Sequence, residues 1–212
     1  MSEAELDAAR ERLRGHDVSL LRERAQSLSL PDRSIDVALS HMAFMLMRPV
    51  EPVVAEIARV LAPGGPFSAV IGPARLGSSG GRAEGVTECQ TALARAVTET
   101  MGGFWEERFP RITRLAVNTP RVMSRASLAD LFTPDLGFVP PVTVKDVALV
   151  IETSVDGLWD FFAATYNVAF LPGEALQSLE SRMKALFTAH REACGTLQFP
   201  LPLSRITVHK QG

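Results

Sequence analysis

Apolar positions along the chain switch between helical and strand spacing, and the switches predict an alternating α/β order. Over residues 2–14, Leu6, Ala9 and Leu13 recur on one helical face, opened by a Ser2-x-x-Glu5 capping box and stopped at Gly15. VSLLR at 18–22 and IDVALS at 35–40 are short apolar runs that predict strands, the second apolar enough to be buried. Between them, AQSLSLPDRS is loop, with Pro31 and Asp32 as turn residues. Residues 51–62 predict an amphipathic helix with Val53, Val54, Ile57, Val60 and Leu61 on one face, and with Glu51, Glu56 and Arg59 pointing elsewhere. Pro63-Gly64-Gly65 ends it, and FSAVIG at 67–72 predicts the next strand. Strand, helix, turn and strand within residues 35–72 form a βαβ unit and imply a parallel sheet.

Beyond Gly72 the pattern loosens. GSSGGRAEG at 77–85 reads as a linker, followed by a helix near 86–101 and the aromatic segment GFWEERF at 103–109. A short helix is expected at 127–132 and a long strand at 142–152. Residues 154–170 form an aromatic-rich helix that Pro172-Gly173 breaks, 174–193 a more charged one, and ITVHK at 206–210 a closing strand.

Composition narrows the class. The chain has 212 residues, 46% hydrophobic and 22% charged, which is enough for a packed core and too apolar for disorder. A net charge of −2, from 22 basic and 24 acidic residues, provides no basic field for nucleic acid. No run is long enough to span a membrane, and the charged start reads as no signal peptide. Cys89 and Cys194 stand far apart in sequence without a C-x-x-C neighbour, so separate thiols in a reducing, cytoplasmic setting are expected. His16, His190 and His209 read as surface or structural, and no two histidines share metal-ligand spacing. No G-x-S-x-G or Cys/His motif suggests a hydrolase.

Three quoted segments carry a family resemblance: AQSLSLPDRSIDVALSHMAFMLM from Ala25, EPVVAEIARVLAPGG from Glu51, and PFSAVIG from Pro66. Together they resemble class I S-adenosylmethionine-dependent methyltransferases, in particular the small-molecule branch that includes the ubiquinone/menaquinone methyltransferases. The resemblance implies a Rossmann-like sheet in the order 3-2-1-4-5-7-6, with 18–22 as strand three and 35–40 as strand four. It places Met1 at an apolar position that follows the second strand in the family. The first two strands, their G-x-G-x-G turn and the ribose-binding acid have no counterpart here, so an N-terminally truncated protein with an incomplete sheet of strands three to seven is expected. Two missing strands leave a gap of roughly 10 Å, to be filled by an upstream segment, a partner chain or a second copy.

The resemblance also implies site residues. Met1, Ala25, Gln26, Leu28, Ser40 and Met42 match cofactor-contacting positions for S-adenosylmethionine. In the family an acid often precedes the alanine; Arg24 stands there. His41, at the carboxyl end of strand four where open α/β sheets bind ligands, is either the catalytic or substrate-orienting residue or a plain loop histidine. Asp36 is expected to be structural. Phe104, Trp105, Trp159, Phe162 and Tyr166 match regions that form a lid over the acceptor in the resembling enzymes, which implies a hydrophobic or aromatic small molecule; the same stripe also reads as core. The expected partition is a core at 1–72, a helical lid at 73–125 and the rest of the core at 126–212. The competing readings are a methyltransferase-like binding protein without its own cofactor site and a fold reused for another reaction, such as a cyclisation.

Overall fold

A computed structural model of the chain describes residues 3–72, 85–109, 119–122 and 124–212. Met1, Ser2 and most of the predicted linker lie outside the described residues. The elements in order are α1 (Glu3–Arg12), β1 (Ala38–His41), α2 (Glu51–Val60), β2 (Pro66–Ile71), α3 (Glu88–Arg108), α4 (Arg125–Leu131), β3 (Phe138–Glu152), α5 (Val155–Ala163), α6 (Tyr166–Ala169), α7 (Gly173–Cys194) and β4 (Gln198–Lys210). The sheet order is β1-β2-β4-β3. This is the expected family order reduced to strands four to seven.

Two compact units are present. The first comprises Met1–Ala69, Asn118–Thr143 and Ile206–Gly212; the second comprises Val70–Val117 and Val144–Arg205. The first unit draws on all three expected segments.

In the first unit, the sequence pattern of α2 translates directly into burial. Val53, Val54, Ile57, Ala58 and Val60 face inward. β2 alternates strictly, with Phe67, Ala69 and Ile71 buried. The Pro63-Gly64-Gly65 turn has a steric reason. Gly64 is left-handed at φ +78, and a Cβ on Gly65 would sit 2.8 Å from the Asp36 carbonyl. That close approach lets Ile35 form a parallel bridge with Leu61. Phe44, Phe67, Phe132 and Phe138 form an aromatic chain with centroids 5.2–5.7 Å apart at successive contacts Phe44–Phe67, Phe67–Phe132 and Phe132–Phe138.

The second unit is a helical cluster. Leu93 and Val97 of α3, Leu158 and Phe162 of α5, and Leu179, Met183 and Phe187 of α7 share one buried core. Thr87 and Gln90 cap α3 reciprocally. Gln90, nearly buried, passes a hydrogen bond to Gln198, which donates in turn to Glu152.

Several expectations change. Residues 18–22 form no strand and carry no regular secondary structure; Arg22 is paired to Glu3 at 3.0 Å. A strand is defined by its ladder partner, and no neighbouring strand lies beside this segment among the described residues. Residues 35–40 are not buried throughout: Val37 is 50% and Leu39 77% exposed. β1 has a single sheet neighbour and alternates, with Ala38 and Ser40 half-buried and Leu39 and His41 exposed. Cys89 and Cys194 are paired in a disulfide, with Cα atoms 6.2 Å apart. Helix packing brings together residues that are 105 apart in sequence, which spacing alone could not show. α3 runs through Gly102 and Gly103 to Arg108, because burial of Phe104 in the core outweighs glycine's helix cost of about 1 kcal/mol each. The helix expected over 154–170 breaks in two where Thr165 caps back on Phe162, Oγ1 donating to the carbonyl at 2.6 Å. β4 begins at Gln198, well before the predicted 206.

Candidate active site

The first unit contains a cleft of about 430 Å³. It takes in the whole of β1, including its carboxyl end, the end at which parallel-sheet proteins bind ligands. Three stretches build it: Ala25, Leu28 and Leu30 from the loop before β1; Ala38 to His41 from the strand itself; and Phe44 and Met47 beyond it. Ile57 and Val60 of α2 and Phe67 of β2 form its floor. The walls are almost wholly apolar.

The local chain explains this convergence. Met42 is left-handed, at φ +53, a conformation that costs a non-glycine residue energy and is concentrated at functional sites. The reversal starts a 3-10 turn at Phe44–Leu46 that carries Phe44 and Met47 back to the cleft. Thr119 secures the turn: its amide donates to Met45 at 2.6 Å and its hydroxyl to Met47 at 3.0 Å.

One polar atom inside is unmatched. Ser40 Oγ is buried and has no hydrogen-bond partner among the described residues. A buried hydroxyl without a partner costs about 1–3 kcal/mol. His41 lines the cleft beside it and is exposed, with no partner among the described residues.

A charge network stands behind the loop wall. Glu56 accepts the Leu28 amide at 2.6 Å and holds Arg59 Nη2 at 2.7 Å. Arg59 donates to the Leu28 and Leu30 carbonyls at 3.0 and 2.8 Å. The Arg59 hydrogen bonds, then the Leu28 amide, pull the Glu56 carboxyl down to about 2, and Arg59 is correspondingly raised by Glu56 and Asp32. Glu23 is also lowered, by the Ser29 hydroxyl and amide, so the acid nearest Arg24 is tied to its own loop.

Of the expected site residues, the structure brings Ala25, Leu28, Ser40 and His41 to one cleft. Gln26 instead donates to the Arg48 and Pro49 carbonyls at 3.3 and 3.4 Å, and Met42 acts through its backbone. Met1 lies outside the described residues. In the second unit, Phe104, Trp159 and Phe162 belong to the buried core, with Trp105 half-buried against it; Tyr166 lies in the short α6. Asp36 is exposed, and it is its backbone carbonyl that lies against Gly65. Glu56, Arg59 and Thr119 were not singled out by sequence. The E-x-x-R spacing within the helix motif was a visible signal for the first two; nothing local marked Thr119.

Comparison with known proteins adds to this geometry. Residues 1–69 match the model of a family described as a methyltransferase domain. The cleft's lining residues all fall within that stretch. The match covers about a third of the chain. Among solved structures, BH2331 of Bacillus halodurans C-125, described as a candidate methyltransferase, is 14% identical, with a TM-score of 0.54, 100% of this chain and 81% of that one covered. The YcgJ protein of Bacillus subtilis is 17% identical, with a TM-score of 0.52 and 100% and 80% covered. These likenesses show a shared Rossmann-like fold. No curated protein matches the chain. Among the described residues, no group of His, Cys, Asp and Glu could hold a metal ion, and no helix is long and apolar enough to cross a membrane.

Proposed function

We propose that this chain is an S-adenosylmethionine-dependent methyltransferase acting on a hydrophobic or aromatic small molecule. The observation that carries the reading is the apolar cleft at the end of β1 with one buried, unmatched oxygen, Ser40 Oγ, inside the stretch that matches a methyltransferase domain.

The lining fits part of the cofactor. An apolar slot between Leu28, Leu30, Phe44 and Met47 suits a flat purine, and Ser40 offers a single polar contact. Among the described residues, the lining has no carboxylate for ribose hydroxyls and no glycine-rich turn. When bound, the cofactor supplies an electrophilic methyl group on a sulfonium. The chain's own part is positioning. The apolar walls exclude water, Ser40 fixes orientation, and His41 at the mouth orients the acceptor or takes up the proton it loses. We further assign Phe104, Trp105, Trp159, Phe162 and Tyr166 of the second unit to an acceptor lid, as the family resemblance implies.

Calorimetry with S-adenosylhomocysteine tests the reading. Saturable micromolar binding is expected; no binding up to millimolar concentrations would overturn it. The second reading, a methyltransferase-like binding protein without a cofactor of its own, is favoured by one observation, the absence of any acidic group on the cleft walls.

A further inference from the structure

We propose that Glu56 and Arg59 of α2 are positioning residues of the cleft, setting the backbone of residues 28–32 as a preformed wall for the ligand. Leu28 and Leu30 present their side chains to the cleft, yet this loop belongs to no strand among the described residues. Its backbone groups therefore need partners from outside. α2 supplies them. Glu56 takes the Leu28 amide at 2.6 Å, while Arg59 donates to the carbonyls of Leu28 and Leu30 and to Asp32 Oδ1 at 2.6 Å. Glu56 also holds Arg59 Nε at 2.9 Å and Nη2 at 2.7 Å, so the guanidinium plane is fixed before it meets the loop.

The far end of the loop is tied to the same helix. The Arg33 amide donates to the Arg59 carbonyl at 2.9 Å and the Ile35 amide to Val60 at 3.0 Å. The segment is thus laid along α2 before any ligand arrives, which reduces the ordering cost of binding. Neither Glu56 nor Arg59 lines the cleft, so both act through Leu28 and Leu30. Lysine could not reproduce the arrangement, because one ammonium cannot span two carbonyls and two carboxylates with a rigid fork.

The inference rests on the cofactor reading only for the ligand, and two readouts separate them. Amide hydrogen exchange at Leu28 reports the wall without ligand; titration with S-adenosylhomocysteine reports its use. In Glu56→Gln and Arg59→Lys, Leu28 exchange should rise about tenfold or more. The dissociation constant should rise about tenfold, measured well below each variant's melting temperature. Glu107→Gln, which weakens the comparable Arg182–Glu107 pair of the second unit, should move neither. Unchanged Leu28 protection in both variants overturns the proposal, as does an unchanged dissociation constant once Leu28 is deprotected. If the parent chain binds no S-adenosylhomocysteine, the methyl-transfer reading fails, and Leu28 exchange alone still decides whether the pair holds the wall. Should Glu56→Gln not fold, Arg59→Lys keeps the charge and gives both readouts.

Discussion

The two units treat their interiors in opposite ways. The second fills its interior: α3, α5 and α7 interlock around Phe104, Phe162 and Phe187, its buried Gln90 is bonded in sequence to Gln198 and Glu152, and a disulfide joins the start of α3 to the end of α7. The first leaves a cleft, an unmatched buried hydroxyl, a left-handed Met42 and an edge strand exposing Leu39. Each of these lowers stability, and all four lie in or beside β1. Marginal folds keep such features where a ligand needs the space. The contrast teaches that aromatic richness does not by itself mark a cleft. The unit with Phe104, Trp105, Trp159 and Phe162 is the packed one, and the cleft is lined mostly by aliphatic side chains, with Phe44 and Phe67 beside them.

Several experiments sharpen or break this contrast. The largest effect is expected for Phe104→Ala. Phe104 is fully buried, so truncation should cost about 3–5 kcal/mol in denaturant unfolding. Trp105→Ala, half-buried, should cost clearly less. A loss below about 1 kcal/mol for Phe104 would remove it from the core and return it to the lid alone.

Next comes the disulfide. Reducing it, or making Cys89→Ser with Cys194→Ser, should cost about 2–4 kcal/mol. Hydrogen exchange should quicken in α3 and α7 and stay unchanged in α2. An equal change in α2 would show that the units do not respond separately.

Glu56→Gln follows, at about 1–2 kcal/mol at neutral pH. The sign of its pH dependence is fixed. The folded carboxyl sits near 2 against an ordinary value of 4.5, so its contribution is complete above the ordinary value and is lost as pH falls from there through the folded value. Acid titration of unfolding should therefore be shallower in Glu56→Gln than in the parent over that interval; parallel curves would remove Glu56 from the linkage.

Ser40→Ala should bring no loss of stability and should hold or raise it, because the hydroxyl has no partner to lose and its unpaid desolvation goes with it. Binding of S-adenosylhomocysteine should nevertheless weaken about fivefold to tenfold, the worth of one hydrogen bond. A large stability loss with unchanged binding would make Ser40 structural.

Much of the first unit was legible in the chain. The helical period of Val53, Val54, Ile57 and Val60 and the Pro63-Gly64-Gly65 stop located α2 and the turn into β2, because these rest on local sterics and one-sided burial. Ala25, Leu28, Ser40 and His41, which line one cleft, were legible beforehand, the first two through the family resemblance and the last two through their place at a strand end. Gln26 was not, since its amide reaches Arg48 and Pro49 across a gap no local pattern encodes. Residues 18–22 misled because apolar β-prone composition is a condition for a strand, while a strand itself needs a neighbour. Arg59 was seen as a polar helix face, although its main partners lie about thirty residues upstream.

By itself the sequence determined the alternation of elements, the strand–helix–strand unit and the type of residue at the mouth of β1, since these follow from side-chain period, turn chemistry and helix stops within a few residues. Only the tertiary structure decided that Cys89 meets Cys194, that Phe104 is core, that Ser40 is left without a partner and that Arg59 holds a distant loop. Those are encounters between segments far apart in the chain, and their energies depend on packing and burial that no local window contains.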